Sequence, residues 1–134
     1  MNYIPQRPPF VMVGEICSVT EQQIITRFLI EKENILLQDN CLSVSGLLEN
    51  IAQSAAAQAG FASIKNGNKV PMGFIGAISK VQVNKLPLVG NIIETSVKIV
   101  QEVFGITLIS GEVIHNEEIL ISCQLKIMID QSKN

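Results

Sequence analysis

Residues 38–60, QDNCLSVSGLLENIAQSAAAQAG, contain the longest run of good helix-forming residues in the chain. Alanine and leucine have the highest helix propensities, and a serine at position 43 or 45 can cap the helix N-terminus. The sequence NGN at 66–68 is a typical stop signal. We therefore expect a helix over about residues 44 to 64, and the fold depends on what packs against it.

The apolar residues of this helix recur with a period of 3.6 and predict a buried stripe. Small alanine side chains in such a stripe let a sheet approach the helix closely. Glu49 lies at the border of the stripe, and Gln53 follows four residues later on the same side. The members of the predicted stripe are Leu48, Ile51, Ala52, Ala55, Ala59 and Ala62.

The sequence on both sides of the helix is typical of β-strands. In the last segment, Ile121, Cys123 and Leu125 alternate with polar residues, as expected for a strand with one buried face. Short polar connections favour antiparallel pairing. We predict an α+β architecture in which a six-stranded antiparallel sheet wraps the central helix. The predicted strands cover residues 11–19, 23–30, 70–84, 91–102, 105–115 and 118–130.

Composition limits the classes of function. A chain of 134 residues, of which 47% are hydrophobic and 16% charged, fits one domain over residues 1–134 but has few charges to cover a monomer. We therefore expect a second subunit to cover part of its surface. A net charge of −2 without basic runs argues against nucleic-acid binding. No stretch of about 18 apolar residues occurs, so we expect no membrane partner and a cytoplasmic location.

Cysteine and histidine usage predicts no metal site. Cys17, Cys41 and Cys123 have no CxxC spacing, and one histidine cannot complete a zinc pattern with them. We interpret them as reduced thiols, with Cys123 in the core. The proline-rich segment 4–10, IPQRPPF, is predicted to lie on the body as an extended arm.

Two features can carry chemistry, although the pattern alone leaves each open. Glu49 is either a solvated helix residue or a partly desolvated carboxylate suited to proton transfer near neutral pH. The glycines of GFIG at 73–76 either form a bulge that lets the sheet bend or let a ligand approach the backbone.

Several motifs together resemble a known family. The segments are PQRPPFVMVGEI at 5–16, GLLENIAQSAAAQAG at 46–60, GFIGAISKVQV at 73–83 and PLVGN at 87–91. With the element order, they are similar to the hot-dog fold of β-hydroxyacyl-acyl-carrier-protein dehydratases. More closely, they resemble the dehydratase-like proteins of bacterial aryl-polyene and flexirubin-type lipid clusters. The resemblance covers about residues 4–129, and its most specific piece is the pair Glu49 and Gln53.

The resemblance implies an acyl-thioester site without metal or organic cofactor. In such dehydratases a helix glutamate and a loop histidine face each other across a homodimer interface beside an acyl tunnel. Carried over, Glu49 is the catalytic acid or base and Gln53 positions it, while Gly76, Asn40 and Phe74 contact the substrate. The implied substrate is an acyl thioester of acyl carrier protein or of coenzyme A.

The chain departs from the family in its histidine. The loop ENILLQDNCLSVSG at 33–46 has none, and His115 falls in a predicted turn, where we expect it on the surface. In one reading, Glu49 works alone or with Asp39, Asn40 or Cys41. In another, the chain is half of a heterodimer with a histidine-bearing hot-dog subunit. In the third, it is a non-catalytic acyl-carrier binder or a thioesterase.

Overall fold

The structure is a computed structural model that describes residues 7–67 and 72–130; the side chains of residues 72–74 and 129–130 lie outside the description. The predicted order of one helix among six long strands is confirmed, with two short strands added before the helix. The elements are β1 (Glu15–Val19), β2 (Gln23–Leu29), β3 (Leu37–Gln38), β4 (Cys41–Leu42), α1 (Val44–Lys65), β5 (Met72–Val83), β6 (Ile92–Val103), β7 (Ile106–His115) and β8 (Glu118–Asp130).

Six strands form one antiparallel sheet in the order β1-β2-β6-β7-β8-β5. The 22-residue helix α1 packs across one face of this sheet, as predicted. Gly111 lies beneath α1 on β7, where a Cβ would come within 2.5 Å of Ile51 Cγ2. Only glycine therefore allows this close contact between helix and sheet.

The buried stripe of α1 is rotated relative to the predicted one. Of the predicted members, Ile51 and Ala55 are buried, but Leu48 is half-buried and Ala62 is exposed, whereas Leu47, outside the predicted stripe, is buried. The prediction was wrong because it counted only apolar residues, whereas α1 also buries hydrogen-bonded polar side chains. These buried polar residues are Asn50, Gln53, Ser54 and Gln58.

Both ends of α1 follow the sequence signals. Ser43 is the N-cap, and its hydroxyl accepts a hydrogen bond from the backbone N–H of Gly46 at 3.2 Å. The helix ends at Lys65 with Asn66 as C-cap, and Gly67 follows at a φ of +80°. A residue of this conformation is most easily glycine, which explains the stop.

The N-terminal prediction needs correction. The first strand begins at Glu15 rather than at residue 11, because both backbone groups of Met12 are bonded to helix side chains instead of a strand. The predicted extended arm is wrong for residues 7–10, which form a turn closed by Phe10 N and Arg7 O at 2.9 Å. Residues 4–6 of the predicted arm lie outside the described residues. From here on, the word arm refers to residues 10–14 only.

The predicted loop at 31–42 contains a small hairpin of β3 and β4. Asp39 and Asn40 form its two-residue turn, with φ of 51° and 64°. Positive φ at both positions is typical of a type I′ turn, which favours Asn and Asp. Two central residues and two short strands are too few for a recognisable alternation, so the pattern missed this hairpin.

The core contains Cys123, as predicted. Burial raises the pKa of the Cys123 thiol to about 11, so the thiol stays protonated at neutral pH. Together with it, the core comprises Ile24, Ile30, Leu42, Leu47, Ile51, Ala55, Ala57, Ile93, Val97, Ile109, Val113, Leu120, Ile121, Leu125 and Ile127.

Candidate active site around Glu49

Glu49 lies in the second turn of α1, on the side of the helix away from the sheet. Leu47 and Ile51, two residues before and after it, are fully buried against the sheet, so helical geometry turns Glu49 outward. Its side chain is half-buried. Gln53 Nε2 donates a hydrogen bond to Glu49 Oε1 at 3.0 Å. The carboxylate is therefore fixed on one side and accessible on the other.

Gln53 connects Glu49 to the arm. It is 1% exposed, and its Oε1 accepts the backbone N–H of Met12 at 2.6 Å. Its Nε2 donates one proton to Phe10 O at 2.8 Å and the other to Glu49 Oε1. An amide offers two N–H donors and one carbonyl oxygen. The arm binds the carbonyl oxygen of Gln53 and one of its N–H groups, and Glu49 binds the other N–H group. The orientation of the Gln53 amide is thus determined by the backbone of the arm.

Asn50 holds the same arm residue from the sheet side. Its Nδ2 donates to Met12 O at 2.6 Å, and its Oδ1 accepts the hydroxyl proton of Thr95 on β6. Asn50 and Thr95 are fully buried. Both backbone groups of Met12 are therefore bonded to α1 side chains that are three residues apart.

Other polar side chains of α1 make separate contacts. Ser54 shares a hydrogen bond of 2.8 Å with Thr26 on β2, and Gln58 Nε2 donates to Thr20 O at 2.9 Å. Neither contact joins Glu49. The Glu-x-x-x-Gln spacing identified Gln53 from sequence, but no local motif indicated Thr95, because its contact depends on the pairing of β6 with the rest of the sheet.

The residues proposed as substitutes for the loop histidine lie on the β3–β4 hairpin. Asp39 and Asn40 are exposed at its tip, and Cys41 is half-buried. Asn40 O accepts a hydrogen bond from Val89 N at 3.1 Å, so this hairpin is held on residues 87–89. Among the described residues, no hydrogen bond joins any of the three to Glu49.

Gly76 is the extra residue of a bulge in β5. Ile75 pairs with Ile127 and Ala77 with Lys126, so Gly76 has no partner of its own in the register. The bulge interpretation of this glycine is therefore correct. The backbone of Phe74 belongs to the same strand, but its side chain lies outside the described part.

His115 is remote from this arrangement. It is the last residue of β7 and does not lie in the predicted turn. Its side chain is half-buried, and its Nδ1 donates a hydrogen bond to Ile92 O at 3.0 Å. It lines a surface groove with Arg27 and Glu94. Thr26 and Thr95, which precede and follow those two residues in their strands, are buried under α1. Because successive side chains of a strand point to opposite faces, the groove lies on the other face of the sheet.

Strand β5 is an exposed edge. It pairs with β8 alone, and residues 75–83 are all exposed. Ile75, Ile78 and Val83 pair with core residues of β8 and so share the helix side of the sheet, yet each is more than 40% exposed. A long apolar edge is a template for pairing with another chain.

Within residues 7–67 and 72–130, no three His, Cys, Asp or Glu side chains are grouped to bind a metal ion. In the same ranges, no helix is long and apolar enough to cross a bilayer.

Comparisons with known structures identify the fold. The chain superposes on the dehydratase heterocomplex ApeI:P from Xenorhabdus doucetiae with a TM-score of 0.89 at 14% identity, covering 98% of this chain and 91% of that one. It also matches a hypothetical thioesterase from Streptococcus pneumoniae with coenzyme A, with a TM-score of 0.70, 8% identity and 86% of each chain covered. Both likenesses show the hot-dog fold predicted above.

A third structure, from Streptococcus mutans and bound to acetyl coenzyme A, has a TM-score of 0.70 at 8% identity, with 87% of each chain covered. A search of curated protein sequences gives no match. The profile of the ApeP-like family, described as ApeP dehydratase, matches residues 1–134. The chain therefore belongs to the ApeP-like family of hot-dog dehydratases.

Proposed function

We propose that this chain supplies the carboxylate half of a 3-hydroxyacyl-thioester dehydratase, and that a related hot-dog subunit supplies the histidine. One observation carries the proposal. Glu49 is held in place by a buried amide, while His115, the one histidine of the sequence, bonds Ile92 O on the other face of the sheet. A positioned carboxylate without a base is half of the pair that the family's reaction needs.

The proposed reaction divides between the two chains. The partner's histidine removes the proton from Cα of the acyl group, and that electron pair forms the Cα–Cβ double bond. The bond between Cβ and the hydroxyl oxygen breaks, and Glu49 protonates the hydroxyl so that it leaves as water. The histidine then returns a proton to Glu49 through solvent, which restores both groups for the next turnover.

The β5 edge is the proposed contact with the partner. Pairing across this edge would continue the sheet and cover Ile75, Ile78 and Val83. A heterocomplex rather than a homodimer accounts for the missing loop histidine. The similarity in fold to a structure described as a dehydratase heterocomplex supports this arrangement.

The remaining site residues are proposed substrate contacts. Gln53 positions Glu49, the backbone at Gly76 approaches the thioester carbonyl, and Asn40 and Phe74 belong to the proposed substrate-binding residues. The substrate is an acyl-carrier-protein thioester of fatty-acid or aryl-polyene type, and the reaction needs no cofactor. Free Cys17, Cys41 and Cys123 suit the reducing cytoplasm, which is the proposed location.

Turnover assays separate this function from its alternatives. The purified chain, a hot-dog subunit carrying the loop histidine and their mixture are each given 3-hydroxyoctanoyl-acyl carrier protein. The proposal expects the mixture to form more 2-enoyl product than the histidine-bearing subunit forms alone. Dehydration by this chain alone would assign the whole site to it, and release of free carrier thiol would instead indicate a thioesterase.

A further inference from the structure

Four hydrogen bonds connect the centre of the sheet to Glu49. The Thr95 hydroxyl donates to Asn50 Oδ1, and Asn50 Nδ2 donates to Met12 O. Met12 N donates to Gln53 Oε1, and Gln53 Nε2 donates to Glu49 Oε1. In every link the donor lies on the side of Thr95 and the acceptor on the side of Glu49. The chain of bonds thus has one direction and ends on a carboxylate oxygen.

The orientation of each side-chain amide in this series of hydrogen bonds is determined by the groups on either side of it. A backbone carbonyl can only accept, so Met12 O requires the NH₂ of Asn50 and turns its Oδ1 toward Thr95. A backbone N–H can only donate, so Met12 N requires the oxygen of Gln53 and turns its NH₂ toward Glu49. Reversal of either amide would place two donors or two acceptors against each other.

Burial makes the arrangement rigid. Thr95, Asn50, Met12 and Gln53 are each 1% exposed or less, so no water competes for these groups. A buried polar group without its partner is strongly disfavoured, and a fully bonded buried network therefore has one geometry. Of the residues in this series of hydrogen bonds, Glu49 is the one that is half-buried and can reach another molecule.

We propose that Thr95 on β6 is a positioning residue for the Glu49 carboxylate, acting through Asn50, the arm at Met12 and Gln53. This inference rests on the proposed function for its effect on turnover. It extends the site from the helix to the centre of the sheet and makes the arm a part of it. Loss of the Thr95 hydroxyl leaves the buried Oδ1 of Asn50 without its donor, so Asn50 shifts and the arm and the Gln53 amide lose their fixed position.

The chain contains a matched control. Thr26 pairs with Thr95 in the register of β2 and β6, and both are fully buried. The Thr26 hydroxyl bonds to Ser54, one turn further along α1, and is not connected to Gln53 or Glu49. T95V and T26V each remove one buried hydroxyl beneath the same helix, so they cost comparable stability but differ in their connection to the carboxylate.

The test compares T95V, T95S and T26V in the complex with the histidine-bearing subunit, using 3-hydroxyoctanoyl-acyl carrier protein. We expect T95V to lower kcat by about tenfold or more with KM within about twofold, because small displacements of a catalytic group reduce the rate strongly. T95S, which keeps the hydroxyl, restores kcat, and T26V stays near wild type. Equal kcat for T95V and T26V would overturn the proposal.

A second readout does not depend on turnover. The side-chain NH₂ resonances of Gln53 and the amide resonance of Met12 are followed by NMR in this chain alone. We expect T95V to shift both and T26V to leave both near their wild-type positions; unchanged resonances in T95V would overturn the positioning role. If the wild-type mixture has no turnover, the proposed function fails, while these resonances still decide the link from Thr95. If T95V does not fold, T95A with T26A as its control replaces the pair.

Discussion

The two flanks of α1 differ in nearly every respect. On the arm flank, Asn50 and Gln53 bond the backbone of Phe10 and Met12, and Gln53 also holds Glu49. On the β5 flank, Leu48 and Ala52 of α1 are half-buried, and the edge strand beyond them has exposed isoleucines at 75 and 78. One flank is polar and fully bonded within the chain; the other is apolar and uncovered.

This difference indicates how the site is divided. A catalytic carboxylate needs a fixed position, and the chain provides it through buried hydrogen bonds of its own. An apolar edge provides no chemistry but can bind a second chain that does. The following predictions, ordered from the largest expected effect to the smallest, test each flank separately.

The largest effect is expected at the end of the arm flank. E49Q in the complex should lower turnover by about 10²- to 10⁴-fold, because an amide accepts the bond from Gln53 but cannot transfer a proton. The melting temperature should change little, since Glu49 is half-exposed. E102Q, which changes an exposed glutamate of β6, is the control and should keep full turnover. Full turnover in E49Q would remove Glu49 from catalysis.

The β5 flank is tested by I78K. A lysine at the edge strand should prevent assembly with the partner, measured by sedimentation of the mixture, and turnover should fall with it. Folding of the chain alone should be unaffected, because Ile78 is 43% exposed. L29K is the control, since Leu29 is 45% exposed on β2, near the other end of the sheet. Assembly that survives I78K, or is lost equally in L29K, would place the interface elsewhere.

Q53M tests the bonds of the arm flank. Methionine has a similar size but leaves Met12 N and Phe10 O without their partners, at about 1–3 kcal/mol for the buried N–H of Met12. Unfolding in urea should therefore require less denaturant, and turnover should fall because Glu49 loses its donor. Q58M removes a buried amide that bonds Thr20 O, remote from Glu49, so it should lower stability without lowering turnover. Similar turnover in the two variants would separate Gln53 from catalysis.

The smallest effect is expected for G76A. An added Cβ would lie 3.2 Å from Met128 Sδ, the flexible end of a side chain, so stability should change by less than about 1 kcal/mol. If the thioester approaches the backbone here, KM for the carrier-protein substrate should rise by about threefold to tenfold, the equivalent of about one hydrogen bond. An unchanged KM would leave Gly76 with a structural role only.

The sequence predicted the long elements because their signals are local. Alanine content, a serine cap and an NGN stop locate α1 within one residue of its observed end, and alternation locates β8. The β3–β4 hairpin was missed because strands of two residues have no period. The start of β1 is predicted too early because residues 11–13 look like a strand, whereas the backbone of Met12 bonds to α1 instead.

The site was only partly accessible from sequence for the same reason. Glu49 and Gln53 are four residues apart on one helix, so their contact could be anticipated from spacing. The contacts of Asn50 with Met12 and Thr95 join residues 38 and 45 positions apart. Such pairs depend on the tertiary fold, and they also explain why the helix buries polar residues that an apolar stripe omits.

The central claim is that Glu49 and a histidine from another chain form one site. A crystal structure of this chain bound to its histidine-bearing hot-dog subunit tests it most directly. The account predicts that β5 pairs with the partner and that the Glu49 carboxylate faces the partner's histidine across a cavity wide enough for an acyl thioester. A complex in which Glu49 faces bulk solvent, remote from any histidine, would contradict the account.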